Sequence, residues 1–213
     1  MKDVKLNMIK ESGIVAIIRG IAREKILKTT EALLRGGIHC IEVTFNTCLA
    51  NEMIEDIRKE FAGDVLVGAG TIMNEKAAQS AYASGAEFIL SPSLHKDVIE
   101  FCKNHEMISI PGAFTPTEIV TAKEWGADII KIFPAGAVNP QYIKLLSGPL
   151  DHMDMMAVGG IDLDNVADYM ENGCVCVGVG SSLVNIKHIE KGEYSSITDL
   201  AKTFTAKIKE VRR

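Results

Sequence analysis

The sequence lacks the features that mark nucleic-acid-binding, membrane and secreted proteins. Its 23 Lys and Arg residues are outnumbered by 28 Asp and Glu residues, and no basic run offers a surface for a phosphate backbone. No apolar run approaches the roughly 18 residues of a membrane span, and charges from Lys2 onward leave no secretory apolar region. We therefore expect a soluble, cytoplasmic protein whose partners include neither nucleic acid nor membrane.

Cysteine and histidine are also placed in ways that disfavour disulfides and metal. The five cysteines are odd in number and have no Cys-x-x-Cys spacing, which favours reduced thiols. Cys174 and Cys176 could hold a metal together, but the apolar run around Cys176 favours buried strand thiols. The five histidines are scattered over predicted loops and helix starts, which disfavours a His/Asp metal site. We predict no metal and no other cofactor.

What the sequence does contain is a regular alternation of short β-branched runs and longer amphipathic stretches. With 213 residues, 47% of them hydrophobic, the chain can form one full-sized core, so we predict one domain over residues 1–213. Strands are predicted at 14–18, 40–44, 65–69, 88–91, 108–111, 128–133, 155–158 and 175–178. Helices are predicted near 24–36, 49–61, 75–84, 95–104, 116–125, 139–146, 164–172 and 196–211. This pattern predicts an α/β fold, a single closed (β/α)8 TIM barrel, with a doubly wound open sheet as the alternative.

A glycine repeat predicts the register of the even-numbered strands. A glycine at the position of a left-handed helix C-cap precedes each of them, at Gly37, Gly85, Gly126 and Gly173. Five residues further on stand Glu42, Leu90, Lys131 and Gly178. Alternate strands of an eight-stranded barrel supply one interior layer of side chains. Glu42 and Lys131 are therefore predicted to face each other inside the barrel, with space left beside Gly178.

Lys131 and Glu42 are charged residues in runs that otherwise predict buried strands. Burial lowers the pKa of a lysine, which makes the amine a nucleophile able to form a Schiff base with a ketone. Burial raises the pKa of a glutamate and suits it to proton transfer. The alternative roles are structural, namely a lysine head that escapes at the strand end or a plain buried Lys–Glu pair. Because both residues lie near carboxyl ends of strands, where barrel enzymes build active sites, we favour catalysis.

Other strand ends predict a site for a small anion. Gly159-Gly160 follows the seventh strand and Gly180-Ser181 follows the eighth, where barrels often hold phosphate through bare backbone N–H groups. Arg19 ends the first strand and Thr71 follows the third, so each could hold a carboxylate. Arg19 could equally be an ordinary surface residue at a strand exit.

These residues resemble the class I 2-keto-3-deoxy-6-phosphogluconate (KDPG) aldolase family, some of whose members also cleave 4-hydroxy-2-oxoglutarate. The resemblance covers nearly the whole chain, and its most specific motif contains Lys131. The similar segments are Ile14-Val15-Ala16-Ile17-Ile18-Arg19, Glu42-Val43-Thr44, Gly68-Ala69-Gly70-Thr71, Ser91-Pro92, Ile110-Pro111-Gly112, Lys131-Ile132-Phe133-Pro134-Ala135, Gly159-Gly160 and Gly180-Ser181. The resemblance implies a homotrimer, an extra N-terminal helix over residues 2–12 and no metal requirement.

The resemblance also implies the reaction, which is cleavage of a phosphorylated keto acid to pyruvate and glyceraldehyde 3-phosphate. Lys131 is the implied Schiff-base lysine and Glu42 the implied general acid/base. Thr71 and Arg19 are implied to bind the pyruvyl carboxylate. Gly159, Gly160 and Ser181 are implied to bind the phosphate. The remaining predicted substrate-binding residues are Pro92, Phe133, Val158 and Gly180.

Two residues depart from the common pattern of that family. Asn46 stands where many members carry Arg, and Val158 stands where they carry Thr. Both are similar to the 6-phosphogalactonate (KDPGal) branch, so the preferred configuration at C4 of the substrate is open. A competing hypothesis is a phosphate-binding barrel that acts as an isomerase or epimerase, or only binds a phosphorylated metabolite, with Lys131 as an electrostatic clamp.

Overall fold

The computed structural model describes residues 1–212, and along them short strands alternate with helices. The strands are β1 (Ile14–Ile18), β2 (Cys40–Thr44), β3 (Leu66–Gly70), β4 (Phe88–Leu90), β5 (Ile108–Ile110), β6 (Gly112–Ala113), β7 (Ile130–Ile132), β8 (Met155–Val158) and β9 (Cys176–Val179). The α-helices are α1 (Lys2–Ser12), α2 (Ile26–Arg35), α3 (Ala50–Glu60), α4 (Glu75–Ala83), α5 (Lys96–Asn104), α6 (Pro116–Trp125), α7 (Gln141–Ser147), α8 (Val166–Glu171), α9 (Ile186–Lys191) and α10 (Tyr194–Val211). Within residues 1–212, no helix is long and apolar enough to cross a membrane.

The strands form one parallel sheet that closes on itself. Their order is β5-β4-β3-β2-β1-β9-β8-β7-β6, and the two outermost strands are consecutive pieces of the same segment. Pro111 separates them because it has no N–H to donate to a ladder. Its carbonyl still accepts a hydrogen bond from the Lys131 N–H at 2.9 Å, which links this segment to β7. The predicted (β/α)8 barrel is therefore confirmed, and the alternative of an open doubly wound sheet is wrong.

The observed strands and helices begin and end within about two residues of their predicted ranges, and the short elements β6 and α9 were not predicted. β1, β2 and β8 match their predicted ranges, whereas β7 begins at Ile130 and not at residue 128. Helix α9 was not predicted, because six residues are too few to show a helical period. The Asn185 side chain caps it by accepting a hydrogen bond from the Lys187 N–H at 2.9 Å.

Helix α1 covers the amino-terminal end of the barrel, over the range predicted from the family resemblance. Its Ile9 is completely buried within the cluster of apolar side chains that fills the barrel interior. Lysines of α1 form ion pairs with acidic residues that stand just before or close to the start of strands, and these pairs are Lys2–Asp128, Lys5–Glu87 and Lys10–Asp154. The carboxyl ends of the strands consequently form the open face.

The interior layers agree with the register predicted from the glycine repeat. Leu90 belongs to the interior cluster, as do Cys40 and Ile129, which precede Glu42 and Lys131 by two residues. Since side chains alternate along a strand, Glu42 and Lys131 also point inward. Gly178 pairs with Val158 of β8, and both residues line a cavity at the carboxyl ends of the strands.

Candidate active site

Lys131 lies in the middle of β7 and is only 6% exposed. Its Nζ lies 4.6 Å from the centroid of the Phe133 ring, so the cation faces an aromatic surface. Burial lowers the pKa of Lys131, and the positive charge of Arg19 also lowers it, while the charge of Glu42 acts in the opposite direction. At neutral pH a larger fraction of this lysine is therefore an uncharged amine than is usual for lysine.

Glu42 lies across the interior on β2 and is 2% exposed. Burial raises the pKa of its carboxyl group, and the charges of Lys131 and Arg19 reduce that shift. Its Oε2 atom is buried and has no hydrogen-bond partner within residues 1–212. A Cβ atom built on Gly70 would lie 1.5 Å from Oε1, so only glycine at that position leaves room for the carboxyl group.

These positions argue against both structural roles that the sequence left open for the pair. The head of Lys131 does not escape to solvent, because the residue is buried. Within residues 1–212, the ion pairs closer than 4.0 Å include neither Lys131 nor Glu42. A buried amine without a close carboxylate and a buried carboxyl oxygen without a hydrogen-bond partner both lower stability, and such groups are typical of active sites.

A cavity of about 500 Å³ opens at the carboxyl ends of β1, β7, β8 and β9. Seven predicted binding residues line it, namely Arg19, Phe133, Val158, Gly159, Gly160, Gly180 and Ser181. The structure adds residues that the sequence prediction missed, which are Ile17, Gly20, Ile161, Asp162, Ser182, Val184 and Ile186. Most of these are apolar or glycine and have no sequence signal that separates them from core and turn residues.

The loops after β8 and β9 present free backbone donors to this cavity. Gly159 and Gly160 have φ of 88° and 77°, a left-handed conformation that glycine adopts without strain. Within residues 1–212, the N–H groups of Gly160, Ile161, Ser181 and Ser182 have no hydrogen-bond acceptor. Clustered N–H groups of this kind are suited to binding an anion, which is the role that the glycine-rich sequence predicts for these loops.

Four predicted site residues are not part of the cavity wall, namely Lys131, Glu42, Thr71 and Pro92. Thr71 and Pro92 lie just after the ends of β3 and β4. Thr71 has φ of 63°, which is uncommon for a β-branched residue, and it directly follows the glycine that touches Glu42. The carbonyl of Pro92 packs against Gly112 at the start of β6, where a Cβ atom would lie 2.3 Å from it. The structure thus places Thr71 one residue after the glycine that packs against Glu42, and Pro92 against the strand that neighbours β7.

Asp162 is a cavity residue whose carboxylate is already occupied by the backbone. Its Oδ1 accepts hydrogen bonds from the Asp164 N–H at 2.9 Å and the Asn165 N–H at 3.1 Å. Asp162 therefore stabilises the turn before α8 and is not a candidate catalytic residue.

No group of three metal-ligating side chains that could hold a metal occurs within residues 1–212. Burial raises the pKa of the Cys174 thiol to about 12, as expected for an inert buried cysteine.

Comparisons with known proteins agree with this geometry. Residues 6–200 match the family model described as KDPG and KHG aldolase. The 2-dehydro-3-deoxy-phosphogluconate aldolase of Treponema pallidum is 38% identical over 179 residues, which are 84% of this chain and 85% of that protein. The 2-dehydro-3-deoxy-6-phosphogalactonate aldolase of Escherichia coli is 34% identical over 171 residues, 80% of this chain and 83% of that protein.

A solved structure extends the similarity to the fold. The KDPG aldolase of Legionella pneumophila, crystallised with pyruvate captured as a covalent carbinolamine intermediate, superposes with a TM-score of 0.87 at 30% identity. The superposition covers 93% of this chain and 97% of that one. The family match over most of the chain, together with the barrel and the buried Lys131, confirms the resemblance predicted from sequence. The chain belongs to the KDPG and KHG aldolase family.

Proposed function

We propose that the protein is a Schiff-base aldolase that cleaves a 2-keto-3-deoxy-6-phospho sugar acid to pyruvate and glyceraldehyde 3-phosphate. The observation that carries this proposal is the buried Lys131, whose pKa is lowered and which forms no close ion pair within residues 1–212 although Glu42 shares the interior. The candidate substrates are the gluconate compound, its galactonate epimer and 4-hydroxy-2-oxoglutarate, which would yield glyoxylate in place of the phosphorylated aldehyde.

In the proposed mechanism the amine of Lys131 attacks the C2 ketone to form a carbinolamine. Loss of water gives an iminium that withdraws electrons from the C3–C4 bond. Glu42, directly or through a water, removes the proton of the C4 hydroxyl group, and the C3–C4 bond breaks to release the aldehyde. The enamine left on Lys131 takes a proton at C3 from Glu42, and hydrolysis releases pyruvate and the free amine.

The remaining site residues would bind the two anionic ends of the substrate. Arg19 lines the cavity, and its charge lowers the pKa of Lys131 and of Glu42, so it suits a carboxylate next to C2. Thr71, which follows the glycine that packs against Glu42, would contribute a hydroxyl group to the same carboxylate. The free N–H groups around Gly160 and Ser181 would bind the phosphate.

The competing hypothesis of an isomerase, an epimerase or a simple phosphate binder makes a different use of Lys131. An anion clamp works best as a fully charged ammonium at the wet mouth of a barrel, whereas Lys131 is buried in the interior with a lowered pKa. The aldolase proposal is tested by treating the protein with pyruvate and borohydride and measuring the mass. One reduced pyruvyl adduct on the peptide that contains Lys131 supports it. An unmodified protein, or an adduct on a different lysine, contradicts it.

Assembly and location remain predictions. The family resemblance implies a homotrimer, so light scattering should give a mass of about three times 23.1 kDa. The cytoplasmic location is proposed from the odd number of cysteines and the lack of Cys-x-x-Cys spacing, which favour reduced thiols. A monomeric mass at working concentration would contradict the prediction of a trimer.

The rate of imine formation should rise with pH and level off below the usual lysine pKa of about 10.4. Below its pKa Lys131 is an ammonium that cannot attack the ketone, so the lowered pKa moves the rise to lower pH. Because the charge of Glu42 raises the pKa of Lys131, Glu42→Gln should move the midpoint to still lower pH. The measurement is the initial rate of cyanoborohydride trapping with pyruvate between about pH 5 and 10. A midpoint that moves to higher pH in Glu42→Gln would contradict this coupling.

Val158→Thr should shift the preference between C4 epimers toward the gluconate compound. Val158 is 3% exposed, lines the cavity beside Gly159 and cannot form a hydrogen bond with a substrate hydroxyl group, whereas threonine of nearly the same shape can. One such hydrogen bond is worth about 1–3 kcal/mol, or roughly 5- to 150-fold in the ratio of kcat/KM values. We expect the natural protein to accept both epimers or to favour the galactonate compound.

Paired kcat/KM measurements on both epimers, before and after the substitution, test this expectation. An unchanged ratio would show that Val158 does not contact C4. A strong natural preference for the gluconate compound would show that the similarity to the KDPGal branch does not extend to specificity.

A further inference from the structure

Three consecutive carbonyl groups in the loop after β8 accept hydrogen bonds from three separate parts of the chain. The Gly159 carbonyl accepts from the Gly136 N–H at 2.7 Å. The Gly160 carbonyl accepts from Asn165 Nδ2 at 2.8 Å, and the Ile161 carbonyl accepts from Ser182 Oγ at 2.6 Å. These bonds hold a loop that would otherwise be free to rotate at two adjacent glycines.

The orientation of these carbonyl groups determines where the N–H groups point. In a trans peptide unit the C=O and the following N–H point in opposite directions. The carbonyls of Gly159 and Gly160 are turned toward protein donors, so the N–H groups of Gly160 and Ile161 point away from those donors. These are two of the N–H groups that have no acceptor within residues 1–212, and both residues line the cavity.

Asn165 and Ser182 are the two side chains in this arrangement. Asn165 uses both ends of its amide, because Nδ2 donates to the Gly160 carbonyl and Oδ1 accepts from the Asp162 N–H at 3.0 Å. Ser182 stands in the loop after β9, so its hydroxyl group ties that loop to the loop after β8. The two loops that form the anion-binding surface are thereby held in one fixed relation.

We propose that Asn165 and Ser182 are positioning residues that set the preference of the enzyme for phosphorylated over unphosphorylated keto acids. They act through the backbone: the hydrogen bond from Asn165 to the Gly160 carbonyl aims the Ile161 N–H at the phosphate. The hydrogen bond from Ser182 to the Ile161 carbonyl holds the loop after β9, with the N–H groups of Ser181 and Ser182, against the loop after β8. This inference rests on the proposed aldolase function and names which side chains, outside the family motifs, make the phosphate site rigid. Neither side chain has to touch the substrate for the effect to occur.

The test compares Ser182→Ala with Ser182→Thr on two substrates that differ only in the phosphate, the 6-phosphorylated 2-keto-3-deoxy acid and the same acid without phosphate. In Ser182→Ala we expect KM for the phosphorylated acid to rise about 3- to 10-fold, the range for loss of one hydrogen bond, with kcat changed by less than about twofold. The value of kcat/KM for the unphosphorylated acid should change by less than about twofold. Ser182→Thr, which keeps the hydroxyl group, should retain the low KM.

Asn165→Asp provides a second, independent variant. Its carboxylate can still accept from the Asp162 N–H but cannot donate to the Gly160 carbonyl, so it should raise KM for the phosphorylated acid selectively. The matched control is Ser147→Ala, which removes a serine hydroxyl that donates to a backbone carbonyl, that of Ile143, at 2.9 Å within α7. This control should leave both substrates unaffected.

Three results would overturn the inference. One is an unchanged KM for the phosphorylated acid in both Ser182→Ala and Asn165→Asp. The second is an equal loss on the two substrates, and the third is an equal loss in Ser182→Ala and Ser182→Thr. Pyruvate trapping at Lys131 is measured in every variant and in the natural protein. If the natural protein traps no pyruvate, the proposed function fails, and this outcome is distinct from intact trapping with unchanged KM, which refutes only the role of the positioning residues.

Discussion

Lys131→Arg should abolish both pyruvate trapping and aldol cleavage. Arginine keeps the positive charge, but a guanidinium stays protonated and cannot act as an amine nucleophile, so neither carbinolamine nor imine can form. We expect kcat/KM to fall by about 1,000-fold or more, since removal of a covalent nucleophile has effects of that scale or larger in other enzymes. The measurements are the adduct mass after reduction and the rate of pyruvate release from the phosphorylated acid.

A matched control for this substitution is Lys144→Arg, on the exposed side of α7. This variant should keep full trapping and turnover, because the same replacement of lysine by arginine is made outside the barrel interior. Substantial cleavage by Lys131→Arg, with a folded protein and no adduct, would contradict a covalent mechanism. That result would leave residue 131 with only an electrostatic role in the cleavage reaction.

Glu42→Gln should separate imine formation from the proton transfers. The amide occupies almost the same volume beside Gly70, so the interior stays packed, but it cannot accept the proton of the C4 hydroxyl group. We expect cleavage, and exchange of the methyl protons of pyruvate with solvent, to fall by roughly 100-fold or more, the usual range for a positioned general acid/base. Trapping of pyruvate on Lys131 should continue.

The control for Glu42→Gln is internal to the experiment, because trapping reports that Lys131 and the barrel are intact. A further control, Glu60→Gln, changes an exposed carboxylate at the end of α3 and should have no effect. Full cleavage activity in Glu42→Gln would contradict the assignment of the general acid/base. Loss of trapping together with loss of cleavage would point to a packing role for Glu42.

Much of the barrel could be predicted from the sequence because parallel strands are recognisable locally. Runs such as residues 14–18 and 155–158 are apolar throughout, as expected for strands covered on both faces, and their observed ends agree with the prediction. The C-cap glycines before the even strands also carried the register, because side chains alternate with a period of two. Where the prediction failed, as at α9, the element was too short for its period to be seen.

The sequence by itself determined which charged residues lie in apolar strands, and hence that Lys131 and Glu42 share the barrel interior. It could not decide between a catalytic amine and a buried ion pair, because that choice depends on distances between strands that are far apart in the chain. Only the tertiary structure shows Lys131 buried without a close carboxylate within residues 1–212, and Glu42 with an unsatisfied oxygen in the space left by Gly70. In the same way, the hydrogen bond that Ser182 donates to the loop after β8 depends on how two loops meet, and a linear pattern of residues carries no record of that contact.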